Sequence, residues 1–224
     1  MKKIAIGILS LSVFLAACED PAANKTRATV ANTTTNSATN TATNTAAPAP
    51  AKPATKGEAL ALTADNSKVE FTGSKVTGKH DGGFRAFTGT IDLVNAKPED
   101  SSVFVDIDMN SVFSDDDKLT GHLKSADFFE VEKYPKATFA STRIAPDAAK
   151  GAGNYTVTGD FNLHGQTKTI TFPARINVTD ADVSVDTEFA INRKDFGIVY
   201  AGKADDLIRD DVVIRLNLKS PRKK

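Results

Sequence analysis

The sequence predicts an all-β domain carrying one short helix. Three observations lead to it. From Ser67 onward, apolar residues recur at every second position in run after run. Short segments of Gly, Pro, Asn and Asp join the runs, which makes neighbouring strands antiparallel. No helix-length periodic segment separates them, so a parallel α/β sheet is excluded.

At the N-terminus, Lys2 and Lys3 precede an apolar run, Ile4 to Ala16. It is too short to span a bilayer comfortably and has the flanks of a signal peptide. The run ends in Leu15-Ala16-Ala17-Cys18, which resembles the bacterial lipoprotein signal. That resemblance implies loss of residues 1–17 and lipidation of Cys18 as the mature N-terminus. Cys18 is the one cysteine in the chain, so an intramolecular disulfide and cysteine-rich metal sites are both excluded. The chain carries 28 basic and 28 acidic residues, and losing Lys2 and Lys3 leaves a net charge of −2. A near-neutral chain has no bulk electrostatic case for nucleic acid.

Residues 18–59 are rich in Ala, Thr, Asn and Pro. Few of their side chains are large and apolar, so they read as a disordered tether. Its flexible reach is on the order of 35 Å. The folded unit is expected over residues 60–220, enough for one domain with a real core.

About eight strands are expected. They lie near residues 68–77, 84–94, 103–109, 137–144, 155–163, 169–178, 183–191 and 212–218. Val103, Val105, Ile107 and Met109 alternate with Phe104, Asp106 and Asp108. Val212, Ile214, Leu216 and Leu218 close the series. The expected connectors include His80-Asp81-Gly82-Gly83, Lys97-Pro98-Glu99-Asp100, Lys150 to Asn154, His164-Gly165 and Thr179-Asp180-Ala181. A sandwich and a closed barrel both satisfy this pattern. Three features favour the barrel: it removes edge strands, eight strands can hold one small ligand, and Gly73, Gly89 and Gly159 suggest bends or bulges inside strands.

Residues 114–128 break the strand pattern. Ser114 and Asp117 have capping-box-like spacing, and three aspartates suit a helix N-terminus. Leu119 and Leu123 would share one helical face. Tyr134-Pro135 then forces extended backbone.

Four motifs now stand in order. They are His122-Leu123-Lys124-Ser125-Ala126-Asp127-Phe128-Phe129, Tyr134-Pro135-Lys136-Ala137-Thr138-Phe139, Tyr155 to Gly165, and Asn192-Arg193-Lys194-Asp195-Phe196-Gly197-Ile198. Together they resemble the YceI family, periplasmic polyisoprenoid-binding proteins with a lipocalin-like barrel. The likeness spans Leu62 to Lys219. It implies an extended antiparallel barrel with a short helix near one end. It also implies a long apolar cavity for an isoprenoid chain such as a polyprenyl phosphate or a quinone tail, and frequent dimers. Leu119 and Thr120 stand where the family usually has an arginine and an acidic or amide residue, so that head-group contact is not carried over.

Binding such a chain needs apolar area, worth roughly 25 cal/mol per Å² removed from water, and few polar groups. The expected lining draws on the aromatic residues Phe71, Phe87, Phe139, Tyr155, Phe161, Phe172, Phe189 and Phe196. Ile91, Val105, Ile107 and Val157 join them. Each taken singly is as readily explained by ordinary core packing.

His122 is expected in a structural role, and His80 and His164 as turn residues. Convergence of all three on zinc is not expected, since zinc ligands usually include a closely spaced pair. Asp106, Asp108, Asn110 and Asp117 fall at calcium-loop spacing, but the strand alternation overrides it. Arg193 is expected to pair with a carboxylate such as Asp127. No nucleophile with a partnered base, phosphate loop or dinucleotide fingerprint is visible.

The sequence therefore reads as a non-catalytic, lipid-anchored protein of the bacterial envelope, without cofactor or metal, facing the periplasm and held by the outer membrane. It would bind or carry an isoprenoid-type lipid. The alternative is a stress-response or interaction lipoprotein whose barrel is filled by its own side chains.

Overall fold

The computed structural model describes residues 20–32 and 49–222. Cys18, the leader before it and residues 33–48 of the expected tether lie outside the described residues. All eight expected strands form, but they are joined by six more. In chain order the strands are β1 (Thr29–Asn32), β2 (Glu58–Thr63), β3 (Lys68–Lys75), β4 (Gly78–Phe84), β5 (Phe87–Leu93), β6 (Ser102–Asp108) and β7 (Val112–Ser114). After the helix α1 (Asp117–Leu123) come β8 (Lys136–Pro146), β9 (Asn154–Leu163), β10 (Gln166–Val178), β11 (Asp182–Asn192), β12 (Gly202–Lys203), β13 (Asp206–Leu207) and β14 (Asp211–Pro221).

Twelve of these form one antiparallel sheet in the order β2-β5-β6-β8-β9-β10-β11-β14-β3-β4-β7, with β1 added beside β10. The sheet curls until β2 approaches β14. There the Ser220 hydroxyl donates to the Ala61 carbonyl, and Arg222 pairs with Glu58 at 2.9 Å. The extra strands escape sequence reading for physical reasons. Glu58–Thr63 spends two of its six positions on alanine, and β7 has only three residues.

His80-Asp81-Gly82-Gly83, expected as a connector, lies within β4. Its glycines serve close packing instead of a turn. A Cβ on Gly82 would lie 2.5 Å from the Phe71 ring and 2.5 Å from the Phe113 carbonyl. Gly159 is similar, since a Cβ there would meet the Phe139 ring at 2.5 Å. The observed irregularity in the ladder falls at Ser141/Arg143 instead. The helix is shorter than residues 114–128. Asp116, not Ser114, caps it by accepting the Leu119 N–H at 2.8 Å. Leu123 is buried and Leu119 packs against the core, as their spacing predicts. Asp106 and Asp108 belong to β6.

The N-terminal segment corrects the expectation of a continuous tether. Strand β10 pairs with β11 only over Arg175–Val178, although β10 begins at Gln166. Above that point the two strands part, and residues 26–32 enter the gap. β1 pairs with β10 from Thr29↔Thr171 to Asn32↔Lys168. On its other side, the Ala28 N–H donates to the Ala190 carbonyl and the Ala190 N–H to the Thr26 carbonyl. The segment thereby satisfies backbone groups that the parting of β10 and β11 leaves unpaired. Ala22 and Ala28 are buried. Lys25 pairs with Glu188 at 2.6 Å, Arg27 with Asp211, and Asp20 with Arg209 at 3.6 Å. Small side chains and a strand partner hold this stretch, which composition alone does not register.

Candidate functional site

The inward faces of the strands enclose a cavity of about 220 Å³, lined almost wholly by apolar side chains. The wall arises from period-2 alternation: Val69, Phe71 and Gly73 of β3, Val105 and Ile107 of β6, and Ile214, Leu216 and Leu218 of β14 each point to it. The cavity runs along the barrel. At one end stand Leu93, Pro98, Ser101 and Ser102; at the other, Arg193, Ile198, Ile208 and Arg209. Leu123 of α1 and Phe128 and Phe129 just beyond it also line the void, so the helical corner forms part of its wall.

Nine of the twelve expected lining residues face the cavity: Phe71, Ile91, Val105, Ile107, Phe139, Val157, Phe161, Phe172 and Phe189. Three do not. Phe87 is buried in the core away from the void, and Tyr155 only packs against the core's edge. Phe196 has no exposed surface and packs edge-on against Phe161 at 5.2 Å. It sits in a 3₁₀ turn at Arg193–Phe196, where strand alternation no longer applies. Sequence reading passed over Phe84, Phe128 and Phe129. The Phe-Phe pair of the first family-like motif was the available signal for the last two. Phe71, Phe84 and Phe129 meet mutually with centroids 5.9 to 6.3 Å apart.

Arg193 is the buried polar group of the cavity. Its Nε donates to the Arg209 carbonyl at 3.1 Å, and Nη1 to the Ile198 carbonyl at 2.7 Å. Nη2 reaches the Ile208 carbonyl and lies 3.3 Å from Asp210. Burial lowers the guanidinium pKa, against the raising influence of Asp210. The expected partner Asp127 instead accepts from His122 Nε2 at 2.7 Å, on the exposed surface. Arg193 therefore pins the loop after β11 to the segment before β14, not to the helical corner.

His122 also packs edge-on against Phe128 and Tyr200. His80 lies 2.8 Å from Asp115. His164, expected as a turn residue, is largely covered. Its Nδ1 is 3.1 Å from the Phe196 carbonyl and its ring meets Tyr134 at 4.7 Å. Its φ of 51° forms a tight turn with Gly165 that folds the ring back onto the barrel. The three histidines do not converge, and no metal-binding cluster occurs among the described residues.

Comparison with known proteins agrees with this architecture. The YceI-like domain family matches residues 60–220. A UPF0312 protein of Pseudomonas putida (strain W619) is 35% identical over 139 residues, covering 59% of this chain and 71% of that protein. The crystal structure of BcnA from Burkholderia cenocepacia superposes with a TM-score of 0.62 at 26% identity, over 70% of this chain and 98% of BcnA. A polyisoprenoid-binding domain from Saccharophagus degradans gives a TM-score of 0.57 at 20% identity, over 73% and 99%. With the family match running from within β2 into β14, this chain belongs to the YceI family.

Proposed function

We propose that this protein binds an isoprenoid-type lipid, a polyprenyl phosphate or a quinone, with the tail inside the barrel. The observation that carries the reading is the continuous apolar void bounded by β3, β5, β6, β8–β11 and β14. Each methylene taken from water into such a space gains about 0.8 kcal/mol. Arg193, Arg209 and Glu70 border the cavity, but its surface is almost wholly apolar, so a head group would stay at or beyond its mouth. The hollow interior speaks against a barrel filled by its own side chains. The reading is one of binding and carriage, not catalysis.

In this reading Cys18 carries the lipid anchor, and the protein faces the periplasm from the outer membrane. The test is full-length protein with Cys18→Ala, purified from bacteria and examined by native mass spectrometry. Co-purifying lipid, or uptake of added ubiquinone or undecaprenyl phosphate, is the expected result. Protein that stays empty and takes up neither would overturn it.

A further inference from the structure

Among the described residues, three large aliphatic side chains are exposed: Val76 at 53%, Val199 at 65% and Leu207 at 48%. All three sit at one end of the barrel. The Val76 N–H donates to the Leu207 carbonyl at 3.2 Å, joining the β3–β4 hairpin to β13. The Ile208 N–H donates to the Ala201 carbonyl at 2.9 Å, joining that strand to the loop that begins at Val199. Two of the three are one step from the cavity wall, and the third is bonded to one of those two. Val199 follows lining residue Ile198, Leu207 precedes lining residue Ile208, and Val76 is hydrogen-bonded to Leu207. Exposed aliphatics at one end of the barrel offer an apolar partner a place to meet it.

The N-terminal segment says which partner. Asp20 lies 3.6 Å from Arg209, itself a wall residue at this end. Asp20 also accepts the Ala22 N–H at 2.9 Å, and from there the chain is locked by Lys25, Arg27 and β1. Cys18 precedes Asp20 by two residues, so covalent geometry keeps it within about 7 Å of Asp20 in any conformation. A lipid on Cys18 is therefore tethered to the Arg209 end of the barrel, the end that also carries Val76, Val199 and Leu207. The long tether expected from composition would let the barrel tumble freely; a two-residue connection does not.

We propose that Val76, Val199 and Leu207 form a membrane-docking rim, which holds the arginine end of the cavity against the bilayer that carries the Cys18 lipid. Shallow insertion of a few aliphatics would orient a barrel that the Cys18 lipid already holds at the bilayer. A lipid tail could then pass between bilayer and barrel without crossing open water. The inference rests on the anchor reading above, and the experiment separates the two.

The chain contains no tryptophan, so one introduced indole is an unambiguous reporter. Full-length lipidated protein bearing Val76→Trp, Leu207→Trp or, at the opposite end, Ala152→Trp is reconstituted into phosphatidylethanolamine–phosphatidylglycerol vesicles containing brominated acyl chains. In parallel, Cys18→Ala protein is fractionated between membrane and soluble extract. The expected result is Cys18-dependent membrane fractionation, with quenching at Val76→Trp and Leu207→Trp at least about twofold stronger than at Ala152→Trp. Cys18-dependent fractionation with equal quenching at all three positions overturns the rim and leaves the anchor standing. Membrane fractionation indifferent to Cys18→Ala overturns the anchor and the docking geometry built on it.

Discussion

Phe172 and Phe189 stack face to face, with ring centroids 4.3 Å apart and 11° between their planes. They sit on β10 and β11 above the point where those strands stop pairing. The two rings thus bridge the parted strands from the cavity side, while β1 fills the gap between their backbones. Both line the cavity. Replacing either by alanine should cost about 3 to 5 kcal/mol, with a coupling of about 1 kcal/mol between them in a double-mutant cycle. Urea denaturation of the two single variants and the double variant measures both terms; strictly additive losses would show that the stacking contributes nothing.

Gly73 lines the cavity, and a Cβ built there meets no atom within 4 Å. Its backbone does not need glycine, since it is absent from the positive-φ set. Gly73→Leu should therefore fold normally and project its side chain into the void. Lipid uptake in native mass spectrometry should fall at least about tenfold, the effect of losing roughly 1.4 kcal/mol of binding. Unchanged uptake by a folded Gly73→Leu variant would place the ligand elsewhere.

Arg193 is buried and holds three backbone carbonyls. Arg193→Met keeps the stem but leaves those acceptors in a dry site. The loss should be about 3 kcal/mol, read as a lowered denaturation midpoint. Asp127→Asn, on the exposed surface, should shift stability by no more than about 0.5 kcal/mol.

Acid should loosen the N-terminal segment. The hydrogen bond from Lys25 holds the Glu188 carboxyl below its ordinary value, against the opposing influence of burial, with Arg215 assisting. Lys219 does the same for Asp182, and Lys75 for Asp206. Because these folded values lie below the unfolded ones, their stabilisation is complete above the ordinary carboxylate range. It is lost as pH falls through the lowered values. Asp211 acts in the opposite sense, since burial raises its pKa despite Arg27. Hydrogen exchange at the Ala28 and Ala190 amides should accelerate as pH drops below about 4.5, after correction for intrinsic rates. Glu188→Gln should flatten that acceleration; if it leaves the profile unaltered, Glu188 is not the titrating group.

A chain beginning at Leu60 retains the family domain but lacks β1. The Ala190 backbone groups and the upper half of β10 then lose their partners. Such a protein should aggregate or pair through that edge, seen as concentration-dependent oligomers in analytical ultracentrifugation. The chain from Cys18 onward should stay monodisperse under the same conditions.

Much of this protein could be read from its residues one after another. Alternation located the eight principal strands, because a curled sheet with one greasy face imposes a two-residue period. The same period identified nine wall positions. It failed at Phe196, where a 3₁₀ turn changes the direction of side chains. It also failed at Gly82 and Gly83, whose purpose is space for the rings of Phe71 and Phe113 on other strands.

What the linear chain determined, then, is the sheet, its apolar face and a family likeness carried by ordered motifs. The tertiary structure alone decided three things: that the barrel is hollow, that Arg193 faces backbone carbonyls instead of Asp127, and that the alanine-rich stretch before residue 33 fills the gap between β10 and β11. Each depends on which distant backbones come within a few ångströms of one another. A strand such as Thr29–Asn32 has no signal of its own, because the hydrogen bonds that order it belong to β10 and β11.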